Sequence, residues 1–317
     1  MTRLTLGTRG SALALWQARA VAAALERDGR CQCELQVIKT TGDRLADVNL
    51  SKIGGKQVFV KEIEQALADG TIDLAVHSAK DMPSELPDGL TIAGVLPRED
   101  PRDAVVLPAD RSDFPPLEGT SATPVNVGSG SVRRVAQLSR VWSSAVFSLI
   151  RGNVGTRLRK LDDGDYDLVI LAAAGLRRLG HGDRITTTLA PELCLPAPGQ
   201  GIVAIETRAD DTDTIARIAS ISDPLAAAAL DAERTVLTDL GGGCQVPIGA
   251  LATIADDRLT LQALVASPDG RELLRRTETG VVSDAASIGA RVAAGLLEDG
   301  AGPILAAANV PQGTSDA

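Results

Sequence analysis

Residues 119–161 contain no Asp or Glu, yet carry Arg133, Arg134, Arg140, Arg151, Arg157, Arg159 and Lys160, in a chain of 317 residues whose formal net charge is −9. An acidic protein that clears carboxylates from one stretch and fills it with guanidinium groups has the makings of a pocket for an anion. A solvated charged face is the competing reading. The missing acids, the preference for Arg over Lys and the Gly/Ser turns beside the arginines weigh against it. Gly128-Ser129-Gly130-Ser131 precedes Arg133 and Arg134, Arg151-Gly152-Asn153 precedes Arg157, and Thr8-Arg9-Gly10-Ser11 precedes the first helical pattern. A helix start presents unpaired N–H groups and the positive end of the dipole, so a cation there costs about 0.3–1 kcal/mol unless an anion lies between. Guanidinium matches carboxylate and phosphate equally well. Gly54-Gly55-Lys56-Gln57 lacks the upstream Gly and following Ser/Thr of a P-loop, so carboxylates are the better match. Lys52 and Lys56 either extend this basic lining or belong to a solvated loop.

Two further residues could do chemistry. Asp81 ends the run His77-Ser78-Ala79-Lys80-Asp81, directly after an apolar strand pattern, where α/β sheets hold ligands. It serves either as an acid facing a developing cation or as a cap on the Met82-Pro83 turn. Cys244 stands in Gly241-Gly242-Gly243-Cys244-Gln245-Val246-Pro247. Three successive glycines suit mobile or closely approached backbone carrying a thiol into a cleft, whereas the plain alternative is a buried apolar Cys.

The elements that must position these groups follow from hydrophobic period. Strands are expected at 4–7, 34–39 and 72–77 with helices at 12–27 and 57–68; then strands at 125–127, 146–150 and 168–172 with helices at 132–141 and 154–161. That grammar is a parallel or mixed sheet covered on both faces, stated twice. A break at 97–103 with two prolines and clustered charge, and a Pro/Gly-rich one at 195–201, mark crossings between domains. After a helix at 225–240, runs at 248–254, 259–266 and 272–279 joined by turns, with a closing helix at 285–297, describe a small α+β domain.

Composition excludes several classes. Hydrophobic residues at 44% and charged residues at 23% describe a globular protein, with disorder expected only at 312–317. Aromatic residues at 2% leave little to stack on bases, and the net acidity repels a phosphate backbone, so nucleic-acid binding is not expected. The apolar stretch 11–25 is interrupted by Gln17 and Arg19, so neither a membrane span nor a secretory leader is expected, and the cytoplasm is the expected compartment. Cys31, Cys33, Cys194 and Cys244, with only His77 and His181 to assist, lack metal-site spacing.

Taken in order, the motifs resemble the porphobilinogen deaminase family over nearly the whole chain. They are Thr8-Arg9-Gly10-Ser11 through Gln17, Lys52-Ile53-Gly54-Gly55-Lys56, Val76 through Asp81, Arg98-Glu99-Asp100-Pro101-Arg102-Asp103, Ser131-Val132-Arg133-Arg134, Arg151 through Leu158, Leu171 through Leu176, Leu195 through Gly201, and Gly242 through Gly249. The resemblance implies two periplasmic-binding-protein-like (type II) α/β domains around a cleft plus a small α+β C-terminal domain. Their expected bounds are 1–98 with 201–219, 103–196 and 222–311, the strand after Gly201 returning to the first domain. It implies a transferase that joins four porphobilinogen units head to tail with loss of ammonia, on a dipyrromethane cofactor held by a thioether to Cys244. Asp81 matches the catalytic aspartate. Ser11, Ser78, Lys80, Ser129, Arg133 and Arg134 match cofactor-binding positions together with Asp81; Arg9, Arg151, Arg157, Arg178, Lys52, Lys56 and Gln200 match substrate-binding ones. A monomer that passes its product to the next enzyme of tetrapyrrole synthesis is expected. The competing hypothesis, a non-catalytic carboxylate-binding protein with the same cleft, leaves Cys244 and the third domain without a task.

Overall fold

Short apolar runs alternating with amphipathic helices assemble three sheets. The structure, a computed structural model, describes residues 2–27, 29–41, 60–114, 124–241 and 246–309. Lys52, Lys56 and Cys244 lie outside the described residues, as do the start of the helix expected at 57–68 and the tail 312–317. The chain opens with β1 (Thr2–Thr8), α1 (Ala12–Glu26), β2 (Cys31–Val37), α2 (Lys61–Ala68), β3 (Leu74–Ser78) and β4 (Leu90–Val95). It continues with β5 (Asp103–Val106), β6 (Val125–Gly128), α3 (Val132–Leu138), β7 (Ala145–Ser148), α4 (Val154–Asp162), β8 (Leu168–Ala172), α5 (Ala173–Arg178) and β9 (Thr187–Thr188). Then follow β10 (Val203–Arg208), α6 (Thr212–Ala219), α7 (Pro224–Asp239), β11 (Ile248–Ala255), β12 (Arg258–Ala266), β13 (Leu273–Val281), α8 (Ala285–Glu298) and α9 (Ala301–Asn309).

The first sheet has the order β2-β1-β3-β10-β4 and the second β7-β6-β8-β5-β9. Each has a parallel core of three strands, β2-β1-β3 and β7-β6-β8, extended by antiparallel neighbours. The chain leaves the first sheet after β4, enters the second at β5, and returns through residues 195–202 to insert β10 between β3 and β4. Helix α1 starts where Ser11 Oγ accepts the Ala14 N–H, and its residues Ala18, Val21, Ala22 and Leu25 cover Leu4, Leu6, Leu74 and Val76 on one face. Ile63 and Leu67 of α2 pack on Ile72 and Ala75 on the other. In the second sheet, Leu138 and Trp142 cover one face and Leu158, Leu161 and Leu176 the other. Both sheets are therefore buried on both sides, which accounts for their nearly continuous apolar strands.

The third sheet, β11-β12-β13, is antiparallel and carries α7, α8 and α9 on one face. Helix α7 begins at Asp223, whose carboxylate accepts the Ala226 N–H at 2.8 Å, with Pro224 in its first turn. Its buried face is Ala226, Ala229, Leu230, Ala232, Glu233 and Val236, one acid in an otherwise apolar stripe. Two α/β units and a small α+β unit are thus formed, as expected.

Several elements differ from expectation. The strand expected at 34–39 begins at Cys31, in register with Thr2, and ends at Val37. The helix expected at 132–141 ends at Leu138, where the chain turns to bury Trp142 beneath the sheet. β4, β5, α5, α6 and α9 were not anticipated. β4 carries Gly94 where alternation calls for a side chain, because a Cβ there would meet Ile218 at 2.7 Å and Ser222 at 2.9 Å. β5 begins with Asp103 inside a Pro-rich charged run that reads as a loop, yet all four of its residues are buried.

Candidate active site

The site forms where strand ends of both α/β sheets meet the returning segment 195–202. A cavity of about 100 Å³ is lined by Leu13, Ser78 and Lys80 from the first unit, by Arg134, Val154, Arg157, Leu171, Ala172, Ala174, Gly175 and Arg178 from the second, and by Gly199, Gly201 and Ile202 from the crossing. Gly199, at φ +73°, lets the crossing lie against the 79–81 turn, since a Cβ there would sit 2.9 Å from Ala79 Cβ and 3.0 Å from Lys80 N. Ser78 ends β3, and its hydroxyl accepts a hydrogen bond at 2.8 Å from Gln17 Nε2, a buried polar residue on the inner face of α1.

Behind the cavity lies a fully buried carboxylate. Asp103 Oδ1 accepts Arg134 Nε at 3.0 Å, Arg134 Nη2 at 2.8 Å and Gln200 Nε2 at 2.8 Å. Asp103 Oδ2 is 2.8 Å from Arg133 Nη2 and accepts the Cys194 thiol at 3.3 Å. Burial alone would raise the Asp103 pKa, but the charges of Arg133 and Arg134 and the donors from Arg134 and Gln200 outweigh it and hold the carboxyl well below the usual range. Burial, then the Asp103 charge, pushes the Cys194 thiol up to about 12, so it is not a ready nucleophile.

The arginines expected to share one wall separate into layers. Arg134 lines the cavity, with Nη1 on Ile170 O at 2.9 Å. Arg133 lies behind it, its side chain 5% exposed and donating to Leu195 O as well as pairing with Asp103. Arg157 Nε donates to Gly152 O at 2.8 Å, and its pKa falls to about 10 through burial and then the neighbouring Arg134, with Asp81 opposing. Arg178 Nη2 donates to Gly201 O at 2.6 Å and its guanidinium lies 5.5 Å from the Trp16 ring centroid, so it spans both α/β units. Burial lowers its pKa, with Glu99 opposing. Arg9 and Arg151 are half-buried, and both have interaction partners.

Lys80 immediately precedes the catalytic candidate in the chain. Its Nζ reaches Gln200 Oε1 at 3.4 Å, and burial pulls its pKa down to about 8, Arg134 and Arg133 adding to the fall while Asp81 and Asp103 resist it. Asp81 itself is half-buried in the 3-10 turn Ala79–Asp81 and forms no hydrogen bond or ion pair among the described residues. The Met82 N–H goes to Ala79 O at 3.2 Å rather than to the Asp81 carboxylate, so the turn does not need that side chain as a cap.

Ser11 and Ser129 have local tasks. Ser11 caps α1, and Ser129, 4% exposed, accepts the Ser131 N–H at 3.3 Å. Gln200 joins the cluster from the crossing, with Nε2 also on Pro101 O at 2.7 Å. Arg140, in the acid-free stretch but outside the cavity lining, donates from Nη1 to Gly270 O at 2.7 Å and Arg271 O at 2.9 Å, fastening the second unit to the β12–β13 turn. Sequence reasoning missed Asp103, Gln17 and Cys194 as parts of the site's support. Gln17 alone left a signal, a polar residue at an apolar position of the α1 stripe.

Four cations converge on one cavity beside a carboxylate that forms no hydrogen bond or ion pair among the described residues. That donor set suits an acidic ligand bearing N–H groups that become positively charged. The family model described as porphobilinogen deaminase, dipyromethane cofactor binding domain, matches residues 4–216, and the model of the porphobilinogen deaminase C-terminal domain matches 227–298. A porphobilinogen deaminase of Chromobacterium violaceum is 48% identical over 308 residues, covering 97% of this chain and 98% of that one. One of Thiobacillus denitrificans is also 48% identical over 308 residues, covering 96% and 98%. Among solved structures, the chain is similar to the periplasmic aliphatic sulphonate binding protein SsuA of Escherichia coli, with TM-score 0.41, 12% identity and coverage of 75% of this chain and 70% of that one. It is also similar to the Bordetella pertussis BvgS periplasmic VFT2 domain, with TM-score 0.38, 17% identity and coverage of 68% and 84%. Two models laid end to end and relatives nearly half identical over almost their full length lead to one conclusion: the chain belongs to the porphobilinogen deaminase family.

Proposed function

We propose that the protein is a hydroxymethylbilane synthase, joining four porphobilinogen units head to tail with release of one ammonia per unit. The observation that carries this reading is the convergence of Lys80, Arg134, Arg157 and Arg178 on one cavity with Asp81 beside them. A dipyrromethane on Cys244 would supply the free pyrrole carbon to which the first unit is added, each later unit joining the free carbon of the ring added before it. The residues that would hold it are Ser11, Ser78, Lys80, Ser129 and Arg134, with Arg133 acting from behind the wall.

Each substrate pyrrole carries acetate and propionate groups, which Arg157 and Arg178 bind from the second unit together with Arg9, Arg151, Lys52 and Lys56, while Gln200, its amide committed to Asp103, Pro101 and Lys80, acts from behind them. Charge-assisted hydrogen bonds to carboxylates contribute about 1.5–3 kcal/mol each. Asp81 holds the pyrrole N–H and stabilises the positive charge that develops as ammonia leaves and again as the new carbon–carbon bond forms. A carboxylate fixed beside the reacting ring needs no reorganisation to do this. Arg133, buried against Asp103, has a supporting part rather than a direct grip on a ligand carboxylate.

Strand membership supports a division into 1–98 with 201–219, 103–196 and 222–311. No helix among the described residues is long and apolar enough to cross a membrane, which fits a cytoplasmic enzyme. A monomer that hands its product to the next enzyme of tetrapyrrole synthesis completes the reading. The test is intact-mass measurement of freshly prepared active protein after acid denaturation: an adduct of two pyrroles mapping to Cys244 is expected, and its absence overturns the assignment.

A further inference from the structure

The Asp103 carboxylate is saturated from inside the protein. Oδ1 takes three donors and Oδ2 a guanidinium and a thiol, so neither oxygen is open to a ligand. Two guanidinium groups share this one carboxylate, and within the trio one positive charge remains unbalanced in a buried place. Arg134, the member that lines the cavity, presents that surplus to a ligand. The same carboxylate oxygen that holds Arg134 also orients the Gln200 amide, because Nε2 is engaged by Asp103 Oδ1 and Pro101 O. With its donor end fixed, Gln200 must turn Oε1, its acceptor, toward Lys80 Nζ at 3.4 Å.

We propose that Asp103 is a positioning residue for the site's cations: it fixes the directions of Arg133 and Arg134 and, through Gln200, keeps Lys80 charged. This rests on the function proposed above. An unsupported buried lysine would shed its proton, and an unanchored Arg134 could turn its donors elsewhere. Among the described residues, the charged groups that act on Lys80 are Asp81 on its own turn, Asp103 from β5, and Arg133 and Arg134 from α3. The two arginines favour proton loss and the two carboxylates oppose it, so Asp103 is one of only two charges among these that retain the lysine proton.

Asp103→Asn keeps the shape and removes the charge; Gln200→Leu cuts the link to Lys80 while leaving both arginines on Asp103. The full-length chain is used, and Lys80 is followed by carbon-13 NMR of methylated lysines, assigned with Lys80→Arg. Both variants are expected to lower the Lys80 titration midpoint by about half a pH unit or more, and to move the basic limb of the activity profile down with it. Asp103→Asn is also expected to raise KM for porphobilinogen about tenfold or more with a smaller change in kcat. If Asp103→Asn fails to fold, Gln200→Leu decides. An unchanged Lys80 midpoint in a folded variant overturns the inference. Loss of the functional reading is seen separately, as a missing pyrrole adduct in the wild-type mass, because the lysine titration does not depend on turnover.

Discussion

Two acids are completely buried at the junctions of this molecule, and each is gripped by arginine. Glu233 receives the two terminal nitrogens of one guanidinium, Arg98 Nη1 at 2.6 Å and Nη2 at 3.2 Å, and the backbone N–H groups of Gly199 and Ala252 at 2.6 and 2.7 Å. One cation meets one anion and neutral donors fill the remaining lone pairs, so the knot is electrically closed. It ties the end of the first sheet, the crossing, α7 and β11 together. Asp103 is built from similar parts but answers two guanidinium groups, and the excess faces the cavity. Balance makes a fastener, whereas deliberate imbalance makes a binding site. Buried pairs owe their energetics to this accounting, since removing one partner leaves an uncompensated charge far from water.

The largest effect is expected at Asp81, whose carboxylate has no hydrogen-bond or ion-pair partner among the described residues. Asp81→Ala should leave the fold and the pyrrole adduct in place and cut turnover about a thousandfold, corresponding to about 4 kcal/mol for a charge at about 4 Å and an effective dielectric of about 20. Steady-state rates checked against intact mass decide this, and residual turnover within tenfold of wild type would give the role to another group. Next, Glu233→Gln should lower unfolding free energy in urea by about 3 kcal/mol while kcat per folded molecule stays the same. A stability loss below about 1 kcal/mol would dissolve the contrast between the closed and the open cluster.

The smallest effect is a pH dependence with opposite signs in activity and stability. The Lys80 ammonium is depressed to about 8 in the fold, so activity that needs its charge should fall to half near pH 8 and continue down above it. Between the folded value and the ordinary lysine value of 10.5 the unfolded chain binds more protons, so the contribution of Lys80 to stability rises with pH across that window and is lost as pH falls through 8. Denaturation midpoints and rates taken over the same buffers check both limbs. Parallel rather than opposed trends would remove Lys80 as their source.

Much of this was legible in residue order. Apolar runs of period two and 3.6 located the parallel cores, and the Gly/Ser turns ahead of arginine marked the ends of sheets where the cavity lies. Asp103 was illegible for a physical reason. An acid at the end of the Pro-containing charged run 97–103 reads as solvated loop, whereas Arg133, Arg134 and the Gln200 brought in by the return of residues 195–202 make it an interior group. The layering of Arg133 behind Arg134 was hidden likewise, because adjacent residues on a helix point about 100° apart and nothing local says which of the two faces a neighbouring unit. Arg140 lies in the same acid-free stretch as the cavity arginines, and nothing local shows that the carbonyls it holds lie 130 and 131 residues away.

The insertion of β10 between β3 and β4 has a consequence for how this chain is made. As it emerges from the ribosome, residues 2–95 supply four strands of the first sheet but not the one that separates β3 from β4, and the whole second unit must be synthesised before Val203 can pair with Ser78. Until then two strand edges stand open to water and to other nascent chains. The strand that arrives last is also the one that fixes the end of β3, where the polypeptide turns toward Ser78, Lys80 and Asp81. Birth order therefore delays the aiming of these residues until β10 has been made, and a product that stops short of Arg208 would carry the same acids and cations without the backbone that aims them.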